Sequence, residues 1–548
     1  MLRFAIICRD TTLAAWQMQT IEHLRTADTA LVTLLVVDEQ DAGSQKRDAV
    51  LWQWYSSLYL NRRASSRTSA CIETHLGGIP ILHTARDSFG GVSDAVIAAV
   101  RAHDLDFILD FGTEPIIGDL RAAPRYGVWS FAEDESDSMR RSPPCFWAIY
   151  GDTPTIRVTL RQLGSACDPD TVLRSGHFRN FTHSYLRTRE TTQRGITRWP
   201  AQVCRDIQRG SARPVANAPT TPLSARGAPT NRQVIGFLLR LAWRFTRTAW
   251  VGLLFRDRWN IGIVAAPIET FLDADARPPV QWLPKPPPKH FLADPFVSLD
   301  GTLFVEEFDD RTQRGHIAAL TALPDGSYSA PQRAIVLPVH MSYPSIIHHQ
   351  GDVYCVPETG EAGEIALYKA TAFPHQWTKC MTLVAGFAGL DATIFQYDDR
   401  WWLFCTEQGT FSNVMLHAWH APDLFGPWTP HPGNPLKTDV RSSRPAGMPF
   451  MHRGHCYRPA QDCSRTYGGA VAINRIVHLS PTAFEEECVA VIAPDADSPY
   501  HYGLHTLSAF DQSTVIDGKG RAFAPVEVYR VLRTLLRDIP RRVYGRLR

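Results

Sequence analysis

Asp294 and Asp391 stand at matching places in two short stretches, ADPF at 293–296 and DATIF at 391–395, 97 residues apart. Each is followed by a small residue or proline and then by an apolar strand pattern. Two carboxyl groups at one mouth suit glycosyl chemistry when their surroundings differ. One stays protonated and serves as acid, and the other stays ionised as base or nucleophile, ~5–9 Å away. Asp294, Asp391, Glu358 and Glu407 are the candidate carboxyl groups. Arg444 and Arg458 add a second theme, because guanidinium groups hold phosphate or carboxylate through paired N–H bonds. With Tyr343 and His505 they fit a charged sugar or a phosphosugar. Trp401 and Trp402 offer faces for sugar stacking, with core packing the expected role of at least one.

These residues fall on a repeat. DPFVSLDGTLFVEE from Asp294, YPSIIHHQGDVYCVPE from Tyr343 and DATIFQYDDRWWLFCTE from Asp391 share one order: a polar residue, a strand, a polar turn, an aromatic strand and a closing Glu. Weaker copies begin at Pro445 and His505. Anchored at 295, 344, 392, 446 and 506, the copies are spaced by 49, 48, 54 and 60 residues. Further strand-like runs lie between them. About four strands per ~50 residues is the pattern of a propeller blade, so the sequence predicts five blades over 258–525. The innermost strands then carry Asp294, Tyr343, Asp391, Arg444 or Pro445, and His505 to one mouth. Glu307, Glu358, Glu407 and Gln461 close the neighbouring strands, and ligand sites form in such concave places.

LADPF, SYPSI, VPET, LYKA, DATIF and GPW resemble the N-terminal propeller of the plant glucosamine inositolphosphorylceramide transferase family. ADPF and DATIF also resemble the five-bladed propellers of the arabinanase, invertase and levansucrase type. The resemblance implies Asp294 as the first-blade base or nucleophile, Asp391 as the later-blade group that positions substrate or tunes the acid, Glu358 or Glu407 as an invertase-like acid from an earlier blade, and a sugar, phosphosugar or glycolipid as ligand. It implies no cofactor and no metal. The fourth copy offers Arg444, Arg458 and Gln461 where the arabinanase type has its acidic Glu. The glycosyltransferase half of the plant family has no counterpart in this sequence, so its transferase activity is not expected here.

Residues 1–185 read differently. FAIIC, LVTLLVV and DFILDFG are strands, with a helical period in VSDAVIAAVRAH, which predicts an α/β domain with a parallel sheet. Residues 104–135, which include YGVWSF, and CDPDTVL at 167–173 resemble the formyltransferase fold. That family uses Asn, His and Asp to hold an oxyanion and move protons. The matching positions are Ser130, Ala132 and Asp168, so two of three groups are missing and a degenerate site is expected.

Residues 186–233 read as helix and linker, rich in Pro, Ala and Ser from 209. Two basic amphipathic segments follow, 234–257 and 526–548, the second with seven arginines and two acids. They suggest an anionic membrane surface as partner. With 57 basic and 55 acidic residues, the formal net charge of +2 provides no polyanion field, and nucleic acid is not expected. Eleven cysteines without a C-x-x-C pair predict reduced thiols, and the first apolar run is too short for a leader, so a cytoplasmic protein is expected. Three functions are carried forward: a glycoside hydrolase or transglycosylase acting on a sugar or glycolipid, a non-catalytic glycan- or glycolipid-binding module, and a formyltransferase on an amino sugar.

Overall fold

The computed structural model describes residues 1–38, 49–60, 70–71, 77–84, 92–112, 116–133, 143–164, 168–210 and 227–524. The chain forms two compact units, the first built on Met1–Leu253 and the second on Leu254–Val526.

The first unit contains a seven-stranded sheet. Its strands are β1 (Leu2–Cys8), β2 (Ala30–Asp38), β3 (Ile81–Thr84), β4 (Phe107–Asp110), β5 (Val128–Glu133), β6 (Thr155–Gln162) and β7 (Thr171–Arg179), in the spatial order β3-β2-β1-β4-β5-β6-β7. β3 to β5 run parallel. The expected parallel sheet is therefore mixed: β6 and β7 form a hairpin and add antiparallel to β5. Period-two alternation sends side chains to opposite faces. Ala5, Ile7, Ile108 and Val128 pack under the helix Asp94–Ala102 with its Val96, Ile97 and Val100. Phe4, Phe107 and Trp129 stack on the other face, with centroids 4.9 and 3.9 Å apart.

The unit also runs beyond the expected end at 185. Residues 185–208 form two helices, Tyr185–Gly195 and Trp199–Gln208, with buried Thr188, Thr192, Trp199 and Cys204. Most of the proline-rich linker, 211–226, lies outside the described residues, as does the basic segment 526–548. The first basic helix is Asn231–Leu254. It stops short of 257 because Phe255–Val264 is a strand that pairs with Ser513–Phe523. No described helix is long and apolar enough to cross a membrane.

The second unit is a five-bladed β-propeller. Blade 1 holds His290–Val297, Leu303–Asp309, Arg314–Leu320 and Gln332–Ile335. Blade 2 holds Ser342–His349, Asp352–Glu358, Glu364–Ala372 and Gln376–Ala385. Blade 3 starts with Gly389–Tyr397 and Arg400–Glu407, and blade 4 with Phe450–His452 and His455–Asp462. Blade 5 combines Leu507–Phe510 and Ser513–Phe523 with Phe255–Val264 and Val280–Trp282, so the first strand of the unit closes the ring onto the last.

The central strands of the blades are buried on both faces, whereas outer strands such as Gln376–Ala385 and Ala483–Ile492 are largely exposed. In blade 1, Leu303 and Val305 pack toward blade 5 with Ile261 and Val515, whereas Phe304 packs toward blade 2 with Tyr343 and Ile346. Equivalent clusters fill the other three blade interfaces. Trp401 and Trp402 both belong to these cores, on opposite sides of blade 3.

Candidate functional site

The inner strands of blades 1 to 3 carry the same irregularity. The ladder skips between Ala293 and Phe296, between Ser342 and Ser345, and between Leu390 and Thr393. At each bulge a non-glycine residue takes a left-handed conformation: Asp294 at φ 51°, Tyr343 at 45° and Asp391 at 52°. That backbone costs on the order of 1–3 kcal/mol per residue and persists only where surrounding contacts enforce it.

Here the contacts are carboxylates. Asp294 N–H donates to Asp517 Oδ2 at 3.1 Å, Tyr343 N–H to Asp294 Oδ2 at 3.2 Å and Asp391 N–H to Glu358 Oε2 at 3.2 Å. Each bond joins one blade to the preceding one around the ring. In blade 4 the equivalent residue is Pro445, which has no N–H. Arg444 supplies the donors instead, reaching Asp391 through Nε (2.5 Å) and Nη2 (3.0 Å) and Glu358 through Nη2 (3.3 Å). Gln461 Nε2 adds a further bond to Asp391 Oδ2 at 2.7 Å.

His505 closes the circle in blade 5. Its Nδ1 lies 2.5 Å from Asp517 Oδ2 and its Nε2 3.4 Å from Asp294 Oδ1, and its ring stacks on Trp259 at 3.9 Å. Burial opposes the imidazolium, but the carboxylates of Asp517 and Asp294 outweigh it and hold the His505 pKa above its usual value. Thr506 Oγ1 donates to Asp294 Oδ1 at 2.9 Å. Ligand atoms of Asp294, His505 and Asp517 lie within 4.8 Å of one another, a spacing compatible with a cation.

The carboxyl groups differ in their surroundings. Burial pushes Glu358 well above the usual range; the charge of Asp391 adds to this and Arg444 opposes it. Burial does the same to Glu306, reinforced by Asp294, Glu358, Asp391 and Asp517. Burial lifts Asp294 to about 6, against the pull of His505. Glu358 thus lies, with its pKa raised, beside Asp391, which is bound by a guanidinium. Of these carboxyls, Glu358 borders a cavity of about 200 Å³, lined also by Phe308, Gln313, His340, Gly360, Glu361 and Gln408. That is below the ~300–1,000 Å³ of typical ligand pockets and suits a single ring-sized group.

Asp294, Asp391, Glu358, Arg444 and His505 are therefore brought together. Tyr343 shares the ring but is fully buried, its hydroxyl 2.8 Å from Thr393 Oγ1 and accepting from Gly447 N–H at 2.6 Å, so it braces blades 2, 3 and 4. Three expectations are corrected. Glu407 is exposed and pairs with Gly389; the inward residue of that strand is its neighbour Thr406, opposite Leu390. The same one-residue displacement makes Glu306, not Glu307, the inward residue of blade 1, because successive strand residues face opposite ways. Arg458 binds Glu486 at 2.7 and 2.9 Å inside blade 4 and takes no part in the mouth.

Glu306, Asp517 and His340 were not singled out by the sequence reading. Glu306 matches Glu358 and Gln461 in the repeat, each opposite the residue before the bulge, and that match was the available signal. His340 accepts the Gly315 N–H on Nδ1 (2.9 Å), which leaves its Nε2 to face Glu306 Oε1 at 3.7 Å.

In the first unit, Ser130 and Ala132 lie on one face of β5. Asp168 lies in the β6–β7 turn. Leu163 N–H donates to Val128 O at 2.8 Å, so this turn flanks the first residue of β5, four residues or ~13 Å from Ala132. The three positions do not converge on one site.

Residues 283–498 match the family model described as glucosamine inositolphosphorylceramide transferase 1, N-terminal. Glucosamine inositolphosphorylceramide transferase 1 of Oryza sativa subsp. japonica is 34% identical over 208 residues, 36% of this chain and 28% of the rice protein. The Arabidopsis thaliana protein of the same name is 32% identical over 208 residues, 36% of this chain and 27% of its own length. Among solved structures, an exo-beta-1,3-galactanase from Clostridium thermocellum is similar at TM-score 0.32 and 11% identity, covering 40% of this chain and 57% of that one. A family 117 glycoside hydrolase from Zobellia galactanivorans is similar at TM-score 0.29 and 13% identity, covering 49% and 90%. Similarities of that size add nothing to the fold, which the five sheets establish. The match spans about a quarter of the curated relatives' length, and over residues 283–498 the propeller of this chain is similar to the N-terminal domain of glucosamine inositolphosphorylceramide transferase 1.

Proposed function

We propose that the propeller acts on a glycoside, as a hydrolase or transglycosylase for a sugar or glycolipid. Glu358 is the general acid, Asp294 the base or nucleophile, and Asp391 the carboxylate that holds the acid's proton in place. The observation that carries this reading is the contrast between two carboxyls in one ring. Burial pushes Glu358 well up at the cavity wall, while Asp294 is raised to about 6. Environments that push two carboxyls apart in this way assign acid and base. Arg444 fixes Asp391 in two bonds, which makes Asp391 a poor nucleophile and a good positioning group. The relatives named for glucosamine and inositolphosphorylceramide support an amino sugar or glycolipid as ligand.

A second reading, a glycan-binding module without turnover, draws on the near-complete burial of Asp294 and Asp391, 4% and 2% exposed, and on their inter-blade hydrogen bonds. Turnover of aryl and alkyl glycosides, amino-sugar glycosides included, by the full chain and by Glu358→Gln separates the two. Loss of ~10²–10⁴-fold on alkyl substrates, with a smaller loss on aryl substrates whose leaving group needs no proton, supports the acid. Sugar binding without turnover in the wild type overturns it.

A further inference from the structure

Among the described residues, the helix Asn231–Leu254 is seated on the first unit by one side. Phe237 is buried and stacks on Phe146 at 4.6 Å, with Val234 beside it in the interior. Arg240 Nη1 donates to Tyr150 O at 2.7 Å, and Arg244 Nη1 donates to Ile149 O at 2.6 Å, with Nη2 3.1 Å from Asp152 Oδ1. These anchors set the helix's rotation. The opposite side presents Ile235, Leu239, Trp243 and Trp250, which are 50%, 67%, 69% and 61% exposed. At ~100° per residue the four fall within one arc of ~80°, Thr246 and Leu253 lie inside it, and Ala242 and Ala249 lie just beyond its edge. Leu51 N–H donates to Asn231 Oδ1 at 3.1 Å, which ties a second helix, Val50–Tyr55, to the start of the first. That helix in turn exposes Val50 and Trp54, by 66% and 64%.

We infer that this face is an in-plane docking surface for an anionic phospholipid layer. The argument is independent of the glycoside reading. Charge selects the occupant: residues 231–254 contain four arginines and no acid. Arg240 and Arg244 are used to hold the helix, whereas exposed Arg232 stands at its first turn and exposed Arg247 at the border of the arc, one turn from both Trp243 and Trp250. A second copy of this chain would meet arginine with arginine and offer no acid from this helix to pair them. Lipid phosphates supply the missing charge, and indole rings favour the headgroup level. No described helix can span a bilayer, so this one lies along the surface.

The test is sedimentation of the full chain with vesicles of phosphatidylcholine alone or with 30% phosphatidylserine added. The expected result is binding to the anionic vesicles, weakened by raising salt from 0.1 to 0.5 M. Trp243→Ser/Trp250→Ser should lower it at least tenfold and Arg247→Glu roughly fivefold or more, each with an unchanged circular dichroism spectrum. Four outcomes overturn the inference. The wild type stays in the supernatant with both compositions. The double variant binds like the wild type. Only deletion of 526–548 removes binding. Light scattering shows a dimer that the double variant abolishes, with no vesicle binding.

Discussion

Asp294→Asn isolates the electrostatics of the ring. The native carboxyl is raised to about 6 from the 3.8 of an unperturbed aspartate, first by burial and then by Asp391 and Asp517, with His505 and the Thr506 hydroxyl pulling down. An acid whose native pKa lies above its unfolded one contributes stability that is complete below about pH 4 and is lost as pH rises through about 6. That displacement is worth about 3 kcal/mol. The asparagine variant carries no such dependence. It carries instead a constant penalty of about 1–3 kcal/mol, because its amide must face one of the two donors, Tyr343 N–H or Thr506 Oγ1. The wild type should therefore lose about 3 kcal/mol relative to the variant between pH 4 and pH 7, whatever the offset. Urea melts at four pH values, read by hydrogen exchange in peptides covering 290–309, report this unit separately. Parallel curves would refute the raised ionisation. A variant that loses ground as pH rises would refute its sign and show that His505 stabilises the native carboxylate beyond the cost of burial.

Three further outcomes are expected. Arg444→Met strands Asp391 and Glu358 without their guanidinium and should destabilise the propeller by about 3–5 kcal/mol in urea; adding Asp391→Asn should recover part of the loss, and a double variant no better than the single one would contradict the pairing. Tyr343→Phe leaves the Gly447 N–H without its acceptor and should cost about 1–3 kcal/mol by the same melts. Glu407→Gln should change stability by less than about 0.5 kcal/mol and leave sugar turnover or binding as it was, since that side chain points outward.

The blades were legible because each repeat places strands and turns at a constant period, and burial on both faces demands the apolar runs seen there. The ring of acids was legible only in part. Glu307 and Glu407 were one residue out of register: runs such as FVEE and FCTE do not show where a bulge inserts its extra residue. The bulges themselves were hidden, since nothing in Asp294, Tyr343 or Asp391 marks a left-handed backbone that glycine usually takes. Arg444 and Arg458 looked alike in sequence, and only strand pairing sends one to the axis and the other to Glu486. Asp517 and the strand 255–264 escaped because blade 5 is assembled from the two ends of the unit. The N-terminal strands were correctly read from their apolar runs, whereas nothing in those runs shows that β6 adds to β5 antiparallel.

The closure of blade 5 also has a kinetic side. Ten registered pairs, from Phe255 with Phe523 to Val264 with Thr514, join strands whose ends are 268 residues apart along the chain. At ~5–20 residues per second of synthesis, the first strand waits roughly 15–50 s for its partner. Through that interval its edge N–H and C=O groups are open to any passing strand. Arg256, Asp257 and Arg258 crowd the beginning of that strand, and charges on an unpaired edge discourage such intermolecular pairing. The same three residues that look like an unremarkable end to an amphipathic helix thus guard the nascent propeller until its last strand arrives.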